Sequence, residues 1–162
     1  DVFDPRIVYE PAGGRWIFTA LANAFQPSSS VLMGVSQTSD PTGNWNLFRI
    51  DADDTDTVWA DYPSLGFTQD WIVVTANMFD NFFSDFSGVN VYVFDKPALY
   101  NNTGGRFTLL QDNNFDGFSL APAVTYDDTA RLAALAAEGW RLEKVVRDVD
   151  NRPAAAILRK GG

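Results

Sequence analysis

The sequence predicts a mainly β protein, in which two four-stranded antiparallel units precede a small β-α-β-β module. Three observations predict it. Short runs rich in β-branched and aromatic residues recur between Gly, Pro, Asn and Asp punctuation, the pattern of strands joined by turns. The same strand-and-turn order occurs twice. Composition then changes near position 126: all 13 Phe lie before it, whereas eight Ala fall in the last 36 residues.

Unit one places strands at about 6–10, 15–22, 31–37 and 45–51, and unit two at 64–68, 71–77, 89–95 and 106–111. Asp4-Pro5 followed by R-I-V-Y pairs with Asp61-Tyr62-Pro63 followed by S-L-G-F. Trp16-I-F-T-A pairs with Trp71-I-V-V-T-A, and A-N-A-F ending at Phe25 with A-N-M-F ending at Phe79. Thr42-Gly43 and Thr103-Gly104 precede the fourth strands. The offsets are 58 at the prolines, 54 at A-N-x-F and 61 at Thr-Gly, so length changes fall between strands. A third start appears at Pro122 with A-V-T-Y. Four strands per unit at this period is the form of a β-propeller blade, and a two-sheet sandwich is the alternative. Two blades do not close a ring. The chain is then a piece of a larger propeller, one of several chains that assemble one, or a reuse of blades in another closed structure.

From Ala130 to Glu138, A-R-L-A-A-L-A-A-E is made of strong helix formers, with Asp127 and Asp128 as N-terminal cap and charge and Gly139 as the stop. R-L-E-K-V-V, a D-V-D-N turn and A-A-A-I-L-R-K then give two strands. With A-V-T-Y in front, the order is β-α-β-β. The predicted boundaries are 1–118 for the two units (about 4–60 and 61–118) and 119–162 for the module.

Net charge is −9, and 18 of the 21 acids are Asp, the acid of turns and loops. Residues 1–126 carry 15 acids and 5 bases, and residues 127–162 carry 6 acids and 7 bases. Such an acidic surface disfavours nucleic acid as a partner. No apolar run reaches the length of a membrane span. The chain holds no His and no Cys, which removes Ser-His-Asp and Cys-His nucleophiles, His/Cys zinc sites and disulfides. Chemistry would have to run on carboxylates, hydroxyls, Lys/Arg or a hard cation.

The motifs D-P-R-I-V-Y-E-P-A-G-G-R-W, V-S-Q-T-S-D-P-T-G-N-W and D-Y-P-S-L-G-F occur in order, and over about 1–126 the chain resembles the blades of a family of secreted bacterial β-propeller proteins. The resemblance implies an extracellular or cell-envelope location and supplies no catalytic residues. In that family another blade strand would follow T-Y-D-D-T, whereas here an Ala-rich run follows. Over about 119–160, L-x-x-L-A-x-E-G-W-x-L followed by A-x-I-L-R-K is similar to a small bacterial family of unknown function, matching at Glu138, Gly139, Trp140 and Leu142. Trp140 reads as a core residue that closes the helix on the strands.

Blade geometry would bring the inter-unit loops (51–61 and 112–117) and the strand-two-to-three loops (23–30 and 77–88) to one face. That face would carry Asp80 and Asp85 among Trp59, Phe79, Phe82, Phe83 and Phe86, a candidate surface for a sugar ring or another protein. The alternative for these rings is to fold back and seal the open blade edge. Asp112, Asn114 and Asp116, followed by Gly117, have the 1-3-5 spacing and glycine of a Ca²⁺ loop, but position 12 is Ala123, so the bidentate acid is missing and a plain Asx turn competes. Asp61 and Asp80 form a candidate acid pair for glycoside hydrolysis.

The expected function is a non-catalytic extracellular or envelope binding and assembly module, with possession of Ca²⁺ open. Its expected partners are other protein chains, or its own copies through open blade edges, and carbohydrate. The competing readings are a fragment of a carboxylate-dependent glycan-processing hydrolase and a recombined chain that retains neither parental function.

Overall fold

A computed structural model of the chain describes residues 1–112, 118–124, 140–147 and 153–160. The protein is mainly β. Strands β1 (Val2–Glu10), β2 (Arg15–Ala22), β3 (Ser30–Ser36) and β4 (Trp45–Asp51) form one sheet in chain order, and β5 (Val58–Phe67), β6 (Trp71–Asp80), β7 (Phe86–Asp95) and β8 (Phe107–Asp112) form a second. Every neighbouring pair in both sheets is antiparallel. A one-turn helix, α1 (Lys96–Tyr100), follows β7. Asp95 caps it by accepting from the Ala98 N–H, and Pro97 sits in the first turn, where no N–H is needed.

The last two strands expected of the module are present as an antiparallel pair, β9 (Trp140–Arg147) and β10 (Pro153–Lys160). Of the A-V-T-Y strand, Val124 makes a single parallel bridge to Phe67. The helix expected over 130–138 and the D-V-D-N turn lie outside the described residues.

Two expected loops are shorter than the sequence suggests. Val58 to Asp61, placed in an inter-unit loop, belong to β5, and Asn77 to Asp80 and Phe86 to Gly88, placed in the second strand-two-to-three loop, belong to β6 and β7. Aromatic and apolar side chains at Trp59, Met78, Phe79 and Phe86 favour a longer hairpin, because cross-strand pairing buries them. Helix α1 was not anticipated at all. Five residues carry too little periodicity to announce a helix.

The first strand of each sheet carries the same irregularity. In β1 the register jumps between Phe3 and Arg6, and in β5 between Asp61 and Ser64. The residue before proline is left-handed in both, Asp4 at φ 49° and Tyr62 at φ 51°. Two residues of β1 thus oppose Ala20, and two of β5 oppose Ala76, the pattern of a bulge that bends its strand. Counting from the bulges, Thr19 corresponds to Thr75 and Trp16 to Ile72. The sequence pairing of Trp16 with Trp71 is therefore one residue out of register. A one-residue slip exchanges the two faces of a strand.

That exchange governs the packing. The core joins Ile17, Leu21, Val31, Met33 and Val35 of the first sheet to Ile72, Val74, Ala76, Tyr92 and Phe94 of the second. Tyr92 crosses the core to donate to the Ala52 carbonyl at 2.8 Å. The far face of the second sheet holds a smaller cluster of Val73, Val91 and Val93 with Leu110 and Leu120. By the bulge register, Val73, Val91 and Val93 are the counterparts of Ile17, Met33 and Val35. Opposite faces of the two sheets therefore meet in the core.

Segment 118–124 covers that far face. The Thr75 hydroxyl donates to the Leu120 carbonyl, Asn77 exchanges two hydrogen bonds with Ser119, and Pro122 and Ala123 lie so close to Gly66 that a Cβ there would fall 2.6 Å from the Ala123 carbonyl. At the other end of the core, buried Glu10 joins the first sheet to α1. It accepts from the Tyr100 hydroxyl at 2.8 Å and from the Ala12 and Gly13 amides, and stands 3.5 Å from the Lys96 ammonium. Burial works against its charge, and the Tyr100 hydroxyl, the two amides and Lys96 together outweigh burial and hold the carboxyl below its ordinary range.

Candidate functional site

The turns between β2 and β3, β4 and β5, and β6 and β7 meet at one end of the two sheets. The Asn81 N–H donates to the Thr57 carbonyl and the Asn81 side chain to the Asp56 carbonyl, while the Ala52 N–H donates to the Ser29 carbonyl and links the β4–β5 turn to the β2–β3 turn. Each turn is held by a short polar side chain bonding its own backbone, which is why Asp, Asn, Ser and Thr crowd these segments.

Asp53 is the clearest case. Its carboxylate accepts from the Thr55 and Thr57 hydroxyls and from the Thr55, Thr57 and Val58 amides. Burial opposes its ionisation, but the Thr55 hydroxyl and the three amides prevail and hold the carboxyl below its usual range. Asp53 is thus a loop organiser. Asp80 does the same in the turn between β6 and β7: its carboxylate accepts from the Phe82 and Phe83 amides, each at 2.8 Å. Asp85 closes that turn through its carbonyl, which accepts the Asp80 N–H at 2.9 Å, with Ser84 left-handed between them.

An aromatic cluster lies beneath these turns. Trp59 packs against Phe25 with ring centroids 4.2 Å apart and against Phe79 at 5.4 Å, Phe79 against Phe86 at 5.8 Å, and Phe118 against Phe86 at 5.0 Å. Trp59 is buried, whereas Phe25 and Phe118 are exposed. Phe82 and Phe83 stand clear of the cluster at 85% and 83% exposure. The turn therefore divides its rings: Phe79 and Phe86 seal the sheet end, and Phe82 and Phe83 face water. The buried Trp59 Nε1–H and Asn81 Oδ1 have no hydrogen-bond partner among the described residues. Such orphans are uncommon, because each costs about 1–3 kcal/mol.

The site residues named from sequence gather here: Trp59, Phe79, Asp80, Phe82, Phe83, Asp85 and Phe86. Asp61 spends its carboxylate on the Tyr62 amide. Phe25 and Phe118 join the site unannounced. The repeated A-N-x-F aligns Phe25 with Phe79 in sequence, although the bulge register sets Asn23 at the position of Phe79, and Phe25 holds a left-handed backbone at φ 61°, a costly conformation for a bulky side chain. Of the candidate Ca²⁺ loop, Asp112 ends β8, and Asn114 and Asp116 lie outside the described residues. Among the described residues no group of three acidic side chains is placed to hold a metal ion. No helix among them is long and apolar enough to cross a membrane. Comparison with protein-family models, with characterised proteins and with solved structures finds no match for the chain.

Proposed function

We propose that the chain is a non-catalytic binding and assembly module of an extracellular or cell-envelope system, that its two sheets are consecutive propeller-like blades, and that the aromatic end is its ligand face. The observation that carries the binding reading is the pair Phe82 and Phe83, held almost fully in water on a turn that Asp80 fixes from beneath. Exposing two adjacent Phe rings forgoes roughly 3–6 kcal/mol of burial, a cost that a rigid surface turn recovers only against a partner. Exposed Phe25 and Phe118 widen the patch, and the acidic turns around it suit a ligand with hydroxyl or basic groups about an apolar surface, as in a sugar ring or a protein. The blade reading is supported by the matching bulges, by the meeting of opposite faces, and by the resemblance of 1–126 to secreted bacterial propeller proteins.

The test pairs a glycan array with co-sedimentation on bacterial envelope fractions. Wild type is expected to bind, and Phe82→Ser/Phe83→Ser to lose binding at least tenfold while melting at the same temperature. Equal binding by the double variant would remove the aromatic end from the function. Sugar release in a parallel hydrolysis screen would assign the chain to the glycan-processing hydrolases instead.

A further inference from the structure

The aromatic end contains two polar atoms that the protein buries without a partner. Trp59 is 6% exposed, and its Nε1–H has no acceptor among the described residues. Asn81 Oδ1 is likewise buried and has no donor, although the Nδ2 of the same side chain donates to the Asp56 carbonyl. The two residues are neighbours. Trp59 pairs with Phe79 across β5 and β6, and the Asn81 N–H bonds the Thr57 carbonyl, so Asn81 continues the ladder opposite Thr57, two residues from Trp59. Such diagonal positions lie about 7–8 Å apart, within reach of one another through an indole and an amide. Two rings flank the indole. Phe79 stands 5.4 Å away and is anchored within β6. Phe25 packs at 4.2 Å, yet 60% of it stays in water and its backbone is left-handed at φ 61°, a conformation that a bulky residue leaves with a gain. Phe25 is therefore the ring that can move aside.

We propose that Phe25 is a displaceable cover, and that the indole and amide beneath it form a subsite for a neutral sugar ring, two adjacent hydroxyls of which satisfy Trp59 Nε1–H and Asn81 Oδ1. Chemistry selects the sugar over a polypeptide. A hydroxyl both accepts and donates, so neighbouring hydroxyls present an acceptor and a donor side by side, while the C–H face of the ring stacks on the indole surface that Phe25 vacates. A trans peptide group points its N–H and C=O in opposite directions, so one such group does not serve both atoms. The ligand is neutral because neither atom carries a charge to match an ion, and the Asp-rich turns around them repel an anion. Opening exchanges a strained backbone and two unsatisfied atoms for two hydrogen bonds. The inference rests on the reading of the aromatic end as the ligand face, and it narrows the ligand there to a sugar.

Small probes test it by NMR, read at the Trp59 indole N–H signal, which Trp59→Phe identifies by its loss. trans-1,2-Cyclohexanediol carries two adjacent hydroxyls on a six-membered ring, cyclohexanol carries one, and N-methylacetamide carries a trans peptide group. The diol is expected to shift the signal saturably, and cyclohexanol to bind about fivefold more weakly for want of one hydrogen bond. Phe25→Gly keeps the left-handed turn without strain and lifts the cover, so it should bind the diol about tenfold more tightly and speed exchange of the indole proton with solvent. Asn81→Ala should lose the preference for the diol. No shift by the diol in Phe25→Gly, or equal affinity of wild type for diol and cyclohexanol, would overturn the subsite. A stronger response to N-methylacetamide than to the diol would assign it to a peptide and overturn the proposal equally. An unresponsive Trp59 in a protein whose envelope binding is lost in Phe82→Ser/Phe83→Ser overturns the subsite and spares the ligand face. Undiminished binding by that double variant overturns the ligand face even where Trp59 responds.

Discussion

The two sheets share a strand order, a bulge and a turn chemistry, yet they meet water differently. The second is covered on both faces, by the first sheet on one side and by segment 118–124 on the other. Among the described residues the first is covered on one face only, and its other face shows Ile7, Phe18, Trp45 and Leu47. The substitution of Gly34 for a Tyr92-like residue is the chemical mark of that difference: a wide ring fills the covered position, and at the open one the sheet folds its own Phe18 down over a glycine. Equal strand patterns therefore do not imply equal energetic roles.

Tyr92→Ala should break the comparison most severely. It empties the centre of the core and removes the hydrogen bond to Ala52, for about 4 kcal/mol by urea unfolding. Gly34→Ala at the corresponding position should cost about 1 kcal/mol, because the half-buried Phe18 ring can swing aside. A cost at Gly34 equal to that at Tyr92 would mean that the outer face is packed after all.

Glu10→Gln comes next. It leaves the Lys96 ammonium buried without its counter-charge and should cost about 3 kcal/mol. It also reports on pH. The folded-state pKa of Glu10 and of Asp53 is depressed, so their stabilisation is complete above the ordinary carboxylate range and is lost as pH falls through it toward the lower folded values. Melting temperature should be level from neutrality down to about pH 5 and fall below it, with a shallower fall in Glu10→Gln. At the other extreme, burial first and then the Glu10 carboxylate hold the Tyr100 hydroxyl above its usual range, so the unfolded chain ionises before the folded one. Stability should decline again above about pH 10.

Asn77→Ala probes the cover over the second sheet. It breaks both hydrogen bonds to Ser119 and should cost about 1.5 kcal/mol, with faster amide exchange in β6 and β7. The smallest effect belongs to the open face, where Ile7→Ser should lie within about 0.5 kcal/mol of wild type. A larger loss would sharpen the comparison in the opposite sense, by showing Ile7 to be supported from within.

Much of this was readable from residues. Alternating β-branched and aromatic runs placed all eight strands of the two sheets, and the Asp-Pro and Tyr-Pro dipeptides fell on the bulges, because proline has no N–H to give the ladder and a bulge leaves its residues unpaired. The aromatic end was legible from four Phe in eight residues near 79–86. What escaped was face and register. W-I-F-T-A and W-I-V-V-T-A look aligned at their tryptophans, but the β1–β2 and β5–β6 turns differ in length, and only cross-strand hydrogen bonds reveal the one-residue offset. The division of rings within the 80–86 turn escaped for a similar reason: hydropathy is equal for all four Phe, and the Asp80 bonds to the Phe82 and Phe83 amides decide which pair points outward.

By itself the sequence determined the strands, their turns and the end at which acidic and aromatic residues would gather, because these follow from local propensity and from side chains bonding their own backbone. Tertiary structure alone decided which face of each sheet is core, that Glu10, Lys96 and Tyr100 meet, and that Phe25 and Phe118 complete the aromatic end. Those outcomes depend on contacts between residues tens of positions apart, and a period-two pattern is unchanged when a strand is turned over.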